Sequence, residues 1–297
     1  MISQPLKGLG TALVTPFQAD GSLDVERIGT LAARQIANGV DFLIPCGTTG
    51  EAVTLSDEEY VTVLTTVVSA AEGRVPVIAG AGSNSTQKTI ETANKAVSCG
   101  VDGVLIVGPY YNKPTQEGYF QHFRTVAEEV DTSIVMYNVP GRTAGNISAD
   151  TQLRIAELDN VVATKEASGD LSQIFRIVRG KPEGFSVLSG DDNLVLAQLA
   201  IGMDGVISVI SNEMPQEFAT LVHRAMEGDF DSARELHYRL LDLQEGNFME
   251  SSPIPVKTAM AMMGLMNERV RLPLVAMQEA NRQTLKRILV SLDLVKE

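Results

Sequence analysis

The chain is poor in cysteine and histidine: its 297 residues include two of the first and three of the second. Cys46 and Cys99 both sit in apolar stretches and read as buried, reduced thiols rather than a disulfide. Cys46 has no histidine near it in sequence, so no thiolate nucleophile is indicated. His122, His223 and His237 are scattered without ligand spacing, and there is no Cys/His cluster from which to predict a metal site. Positive charge is scarce too. The 24 Lys and Arg face 37 Asp and Glu, with no basic cluster, which argues against nucleic acid as a partner. A small anionic substrate stays open, because one arginine can hold a carboxylate whatever the global charge. No charged start leads into a sustained apolar stretch, and no apolar run is long enough to span a bilayer. A cytosolic protein with no membrane partner is expected. Low-complexity tracts are missing and 44% of residues are hydrophobic, so the chain folds around a large core. Its length suits one α/β barrel of roughly 250 residues with something added.

What is present is an alternation. Short apolar runs recur at 10–17, 42–47, 76–82, 103–109, 133–140, 161–167, 185–191 and 205–211. They are continuous rather than alternating, as expected of strands buried on both faces. Amphipathic helices fit between them. One runs from about Asp24 to Asn38 with Val25, Ile28, Leu31 and Ile36 on one side; another opens on Ser56-Asp57-Glu58-Glu59, a capping box. NGVDFLI, CGVDGVLI and IGMDGVIS share a glycine, an apolar residue and an aspartate before a strand. The glycine closes the preceding helix in the left-handed conformation, and the aspartate turns the chain into the strand. The glycines stand at 39, 100 and 202, spacing that two and then four βα units fill. Eight parallel strands with helical crossovers predict a (β/α)8 TIM barrel. A doubly wound open sheet is the alternative, but no GxGxxG follows any run. Strand signals stop near 215, and the rest reads as helices with a PIPVK turn (253–257). We therefore expect a barrel over 1–224 and a C-terminal helical extension over 225–297.

In such a barrel the active site lies at the C-terminal ends of the strands. Lys165, in VVATKEA, stands in a strand that otherwise reads as core. Two readings are open: a desolvated amine able to form a Schiff base, or a buried ion pair with the adjacent Glu166. Tyr137 ends the fifth strand, as a proton donor and acceptor or as rim packing. Arg142, in the following Gly/Pro-rich loop, is either a fork for a carboxylate or a solvated side chain. GTTGE (47–51) after the second strand brings small residues together as an anion nest, with the hydroxyls of Thr48 and Thr49, or forms an ordinary tight turn. GPYYNKP (108–114) sets Tyr110 and Tyr111 on the loop after the fourth strand, the kind of pair that marks an interface or simply packs.

GTTGE, PYYNKPTQEG, YNVPGRT and the lysine of ATKEASG occur in this order on these strands. In this the chain resembles the dihydrodipicolinate synthase family, within the larger group that includes N-acetylneuraminate lyase, over essentially its whole length. The resemblance implies a Schiff-base lyase of lysine and diaminopimelate biosynthesis that condenses pyruvate with aspartate semialdehyde, without cofactor or metal. Carried over by position, Lys165 forms the imine. Tyr137, Thr48 and Tyr111 relay protons, with Tyr111 supplied by a neighbouring subunit. Thr48 and Thr49 hold the pyruvate carboxylate, the Ile207 main chain lines the pocket, and Arg142 receives the aldehyde's carboxylate. A homotetramer, built as a dimer of tight dimers, is the implied assembly.

Two stretches depart from the family pattern. Ser252 stands before PIPVK where an asparagine is expected. In the region that binds the feedback effector lysine in inhibited relatives, Asn84 and Tyr110 are present. Lys88, however, replaces a glutamate, and Ala52, Asp57 and Tyr60 replace a serine and two histidines, which implies weak inhibition by L-lysine. Two rival readings remain open: a lyase for another aldehyde or a sugar acid, and a pyruvate-binding regulator. Arg142 argues against the first, and the intact Lys165, Tyr137, Thr48 and Tyr111 set argues against the second.

Overall fold

The computed structural model describes residue 2 and residues 4–296. Its strands are β1 Gly8–Ala12, β2 Phe42–Ile44, β3 Ile78–Gly80, β4 Gly103–Val107, β5 Ser133–Asn138, β6 Val161–Glu166, β7 Ser186–Ser189 and β8 Gly205–Ser208. The helices are α1 Val25–Ala37, α2 Asp57–Ala71, α3 Thr86–Ser98, α4 Gln116–Glu129, α5 Pro140–Thr143 and α6 Ala149–Ala156. They continue with α7 Leu171–Gly180, α8 Val195–Ala200, α9 Pro215–Met226, α10 Phe230–Gly246, α11 Ile254–Met262 and α12 Glu279–Ser291. All the strand pairs are parallel, in the order β2-β1-β8-β7-β6-β5-β4-β3. A parallel bridge between Leu43 and Val77 joins the two ends, so the sheet closes into a (β/α)8 barrel. Seven of the predicted apolar runs contain one of these strands, and the first, 10–17, overlaps β1, which begins earlier, at Gly8.

The strands bury two layers. Phe42, Ile44, Ile78, Leu105, Val135, Ala163, Leu188 and Ile207 fill the barrel, and a larger cluster lies between the strands and the surrounding helices. This two-sided burial is why the runs read as continuous. In α1, Ile28, Leu31, Ala32 and Gln35 face inward, whereas Val25, expected on that face, is exposed at the first turn. The capping box at Ser56 forms: Glu59 N–H donates to the Ser56 hydroxyl, and Ser56 N–H donates to the Glu59 carboxylate.

The repeated glycines all have positive φ, at 85°, 84° and 96°. The aspartates after them do more than turn the chain. Leu9 N–H donates to Asp41 at 2.7 Å, Val77 N–H to Asp102 at 2.9 Å and Val187 N–H to Asp204 at 2.8 Å. Each aspartate's own N–H donates back to the carbonyl of the same residue. Every copy of the repeat thus staples its strand to the start of the neighbouring one, at the barrel's N-terminal face. Asp41 also meets His223 at 2.8 Å, and Asp204 pairs with Lys181. Cys99, expected buried, is half-exposed; both cysteines are free.

The C-terminal residues are helical, as expected, and α9, which packs against β1, runs to Met226. PIPVK is not an isolated turn. Its residues 254–257 form the first turn of α11, with proline inside that turn, where a missing N–H is harmless. Among the described residues, no helix is long and apolar enough to cross a membrane, and no group of three or more His, Cys, Asp or Glu is placed to hold a metal ion.

Candidate active site

Lys165 and Tyr137 are register partners on adjacent strands, and the Lys165 amine lies 4.5 Å from the centre of the Tyr137 ring. Strand alternation points both side chains into the barrel and sends Glu166 outward. There Glu166 is fully buried among amides, accepting from Asn138 Nδ2 at 3.0 Å, Gln152 Nε2 at 2.5 Å and Ser168 N–H at 2.8 Å. The ion pair with Glu166 that the sequence left open therefore does not form. Lys165 is only 6% exposed, and the lysines held in ion pairs among the described residues are others, Lys95, Lys181 and Lys257. Burial lowers its pKa from 10.5 to about 8, against the opposing pull of Asp192 and Asp191. Burial likewise pushes the Tyr137 phenol up, with Arg142 opposing.

Sequence reasoning missed those two aspartates. Gly190-Asp191-Asp192 follows β7, at the polar end of the apolar run 185–191, which gave neither aspartate a role. Asp192 is buried and accepts from the N–H groups of Val209 and Ile210, both at 2.9 Å. Burial raises the Asp191 pKa to about 6 even though Lys165 opposes it. Gly190 makes room for the lysine: a Cβ there would stand 3.0 Å from Lys165 Cε and 2.7 Å from Ala167 Cβ. The signal available in the sequence was two carboxylates directly after a strand, at the barrel face where polar groups belong to the site.

A cavity of about 610 Å³ opens beside Tyr137. Thr48, Tyr110, Tyr137 and Arg142 line it. Arg142 is exposed and sits in no ion pair among the described residues, so its guanidinium is free to take a ligand. The GTTGE segment forms overlapping turns, with Gly50 N–H donating to Gly47 O and Glu51 N–H to Thr48 O. Among the described residues, the N–H groups of Thr48 and Thr49 are left without a backbone acceptor, as an anion nest requires. Thr49 is buried, and Ile207 lies in the inner apolar layer with Tyr137. Tyr111 does not join the site within its own chain. It is 87% exposed, with φ of 72°.

The other wall of the same cavity carries Ala52, Asp57, Tyr60 and Lys88. Tyr60 is largely buried, and its hydroxyl donates to Gly80 O at 2.9 Å. Asp57 is already engaged by Lys95 at 2.6 Å. Asn84 is tied to the tyrosine loop through its carbonyl, which accepts from Asn112 Nδ2.

A second lysine is buried more deeply than Lys165. Lys257 of PIPVK is fully enclosed, 2.6 Å from Glu51 and 2.9 Å from Thr15 O. Burial also lowers its pKa to about 8, with Glu51 opposing. Lys165 is therefore not the chain's only buried lysine; it is the unpaired one.

A closed parallel barrel with a lone, desolvated amine beside a phenol at its C-terminal face is the architecture of a Schiff-base enzyme. The chain matches the Dihydrodipicolinate synthetase family over residues 5–292, and it belongs to that family. It is 50% identical to the 4-hydroxy-tetrahydrodipicolinate synthase of Koribacter versatilis, over 98% of this chain and 97% of the relative. The crystal structure of dihydrodipicolinate synthase from Aquifex aeolicus superposes with a TM-score of 0.95 at 46% identity, covering 98% of this chain and all of the other. The chloride-inhibited enzyme of Acinetobacter baumannii, solved in complex with pyruvate, also gives 0.95, at 39% identity and with 97% and 99% of the two chains covered.

Proposed function

We propose that this chain is a 4-hydroxy-tetrahydrodipicolinate synthase, condensing pyruvate with L-aspartate 4-semialdehyde through an imine on Lys165. The observation that carries the reading is the unpaired, buried Lys165 amine in register with Tyr137. A pKa near 8 keeps a useful fraction of it neutral at physiological pH. The neutral amine adds to the pyruvate ketone, and the carbinolamine loses water to give the protonated imine. Loss of a methyl proton leaves an enamine, whose carbon attacks the aldehyde to form the new C–C bond. The substrate's own amine then displaces Lys165 as the ring closes. Tyr137, whose ring centre lies 4.5 Å from the amine, suits a role in passing the protons, and Thr48, on the same cavity, suits a further step of the relay. The free N–H groups of Thr48 and Thr49 suit the pyruvate carboxylate, and Arg142 suits the carboxylate of the aldehyde. The exposed Tyr111 fits a role in a neighbouring copy's relay, and a homotetramer of tight dimers is the assembly we infer. We also assign 225–297 as a helical extension packed on the barrel.

Borohydride reduction in the presence of pyruvate tests the imine. Peptide mass spectrometry should find the reduced adduct on Lys165, and Lys165→Ala should abolish it. Lys257, buried but paired, is the internal control. An adduct on Lys257, or none at all, would overturn the assignment.

A further inference from the structure

The GTTGE turn is held from behind by a charge network whose members do not line the cavity. Glu51, at the turn's end, is buried in the left-handed conformation, with φ of 51°. A non-glycine residue there needs its surroundings to hold it. Both of its carboxylate oxygens are taken by the C-terminal segment: Lys257 Nζ at 2.6 Å and Arg271 N–H at 2.9 Å. Lys257 also donates to Thr15 O at 2.9 Å, while the Thr15 hydroxyl donates to Gly50 O at 2.7 Å. These contacts close a ring that runs from Gly50 through Thr15 and Lys257 to Glu51. The Arg271 guanidinium extends it, donating to Thr54 O, Gly21 O and the Glu59 carboxylate, and with Lys257 it stacks on Phe17, each 4.3 Å from the ring centre.

A fully buried ion pair is a weak source of stability, since an apolar pair of the same volume often does as well. What it does supply is directional constraint. Gly50 and Glu51 directly follow the two threonines whose N–H groups take no backbone acceptor among the described residues, and Thr48 lines the cavity. We infer that Thr15, Glu51, Lys257 and Arg271 are positioning residues, through which the C-terminal extension sets the geometry of the carboxylate nest at Thr48 and Thr49. This rests on the proposed reaction and adds that the extension governs pyruvate capture rather than chemistry at Lys165.

Two variants test it. Thr15→Val keeps the shape of a buried side chain and removes only the bond to Gly50 O. Glu51→Gln with Lys257→Met removes both buried charges together, so that neither is left unpaired. A misplacement of about 1 Å remote from the chemistry can cost roughly 100-fold, so the pyruvate KM should rise roughly 10-fold or more in each. At saturating pyruvate, borohydride should still trap the Lys165 adduct fully, and the KM for the aldehyde should stay near wild type. Circular dichroism checks the fold; if the double variant does not fold, Thr15→Val alone decides. A folded variant of either kind whose pyruvate KM stays within about twofold of wild type overturns the inference, even if its Tm falls. Wild type that traps no pyruvate would instead overturn the reaction assignment, so the two failures are distinguishable.

Discussion

Burial of Lys165 has a direct kinetic signature. With a pKa of 10.5, about one amine in three thousand is neutral at pH 7; at about 8 it is roughly one in ten. The difference, about 300-fold in nucleophile concentration, corresponds to about 3 kcal/mol of barrier. The rate of imine formation under excess pyruvate, followed by rapid-quench borohydride trapping, should rise about tenfold per pH unit below pH 8 and level off above it. The surrounding charges fix the sign of each perturbation. Asp192 and Asp191 favour the ammonium, so Asp192→Asn and Asp191→Asn should move the inflection to lower pH. In Asp192→Asn the new amide retains an oxygen for the N–H groups of Val209 and Ile210, so the change is mainly one of charge. Because Asp191 has a pKa of about 6, its variant should differ from wild type only above that pH. Arg142 disfavours the ammonium, and Arg142→Gln should move the inflection upward. An inflection near 10.5, or a shift of opposite sign in Asp192→Asn, would refute the desolvation account.

Three further outcomes are expected. Arg142→Ala should leave pyruvate trapping at saturation intact but reduce kcat/KM for the aldehyde by about 1.5–3 kcal/mol, the worth of a hydrogen bond to a charged group; an equal loss in trapping would give Arg142 another role. L-Lysine should inhibit weakly, with half-inhibition above about 1 mM, or about −4 kcal/mol of binding. Lys88 and Lys95 both line that wall of the cavity and Asp57 is already paired, so an added ammonium meets repulsion; titration showing tight inhibition would contradict this. Finally, the hydrogen bond to Asp41 raises the His223 pKa above 6.5, so its stabilisation is present in full below that pH and is lost as pH rises through the raised value. The Tm difference between wild type and His223→Gln should shrink accordingly, and a difference that grows with pH would be inconsistent with the pairing.

The eight strands were legible because a closed parallel sheet buries both faces, and such strands advertise themselves as unbroken apolar runs. Lys165 was legible for the same reason, as a charge where the run allows none. Its relation to Glu166 was also within reach, since neighbouring residues on a strand point to opposite faces and cannot pair. Other features escaped because their environment comes from remote parts of the chain. Nothing near Lys257 announces a buried ion, because its partner Glu51 is 206 residues away. What the Tyr60 hydroxyl meets was hidden too, since its acceptor, Gly80 O, belongs to β3, 20 residues further on.

The aspartates carry this furthest. Asp41, Asp102 and Asp204 precede strands, and Asp191 and Asp192 follow one. The first three sit at the barrel's N-terminal face, where each carboxylate is taken up by a neighbouring strand's N–H and serves the closure of the sheet. The other two sit at the C-terminal face. There Asp191 leaves one buried carboxylate oxygen without a partner and Asp192 leaves another. Buried polar atoms are rarely left unpaired in native proteins, and such exceptions call for a reason. Both carboxylates oppose the fall that burial imposes on the Lys165 pKa, so they balance the amine's charge without pairing with it. The repeat showed its staples because they recur in sequence. The functional pair occurs once, so only the end of the barrel on which it falls distinguishes it from a turn.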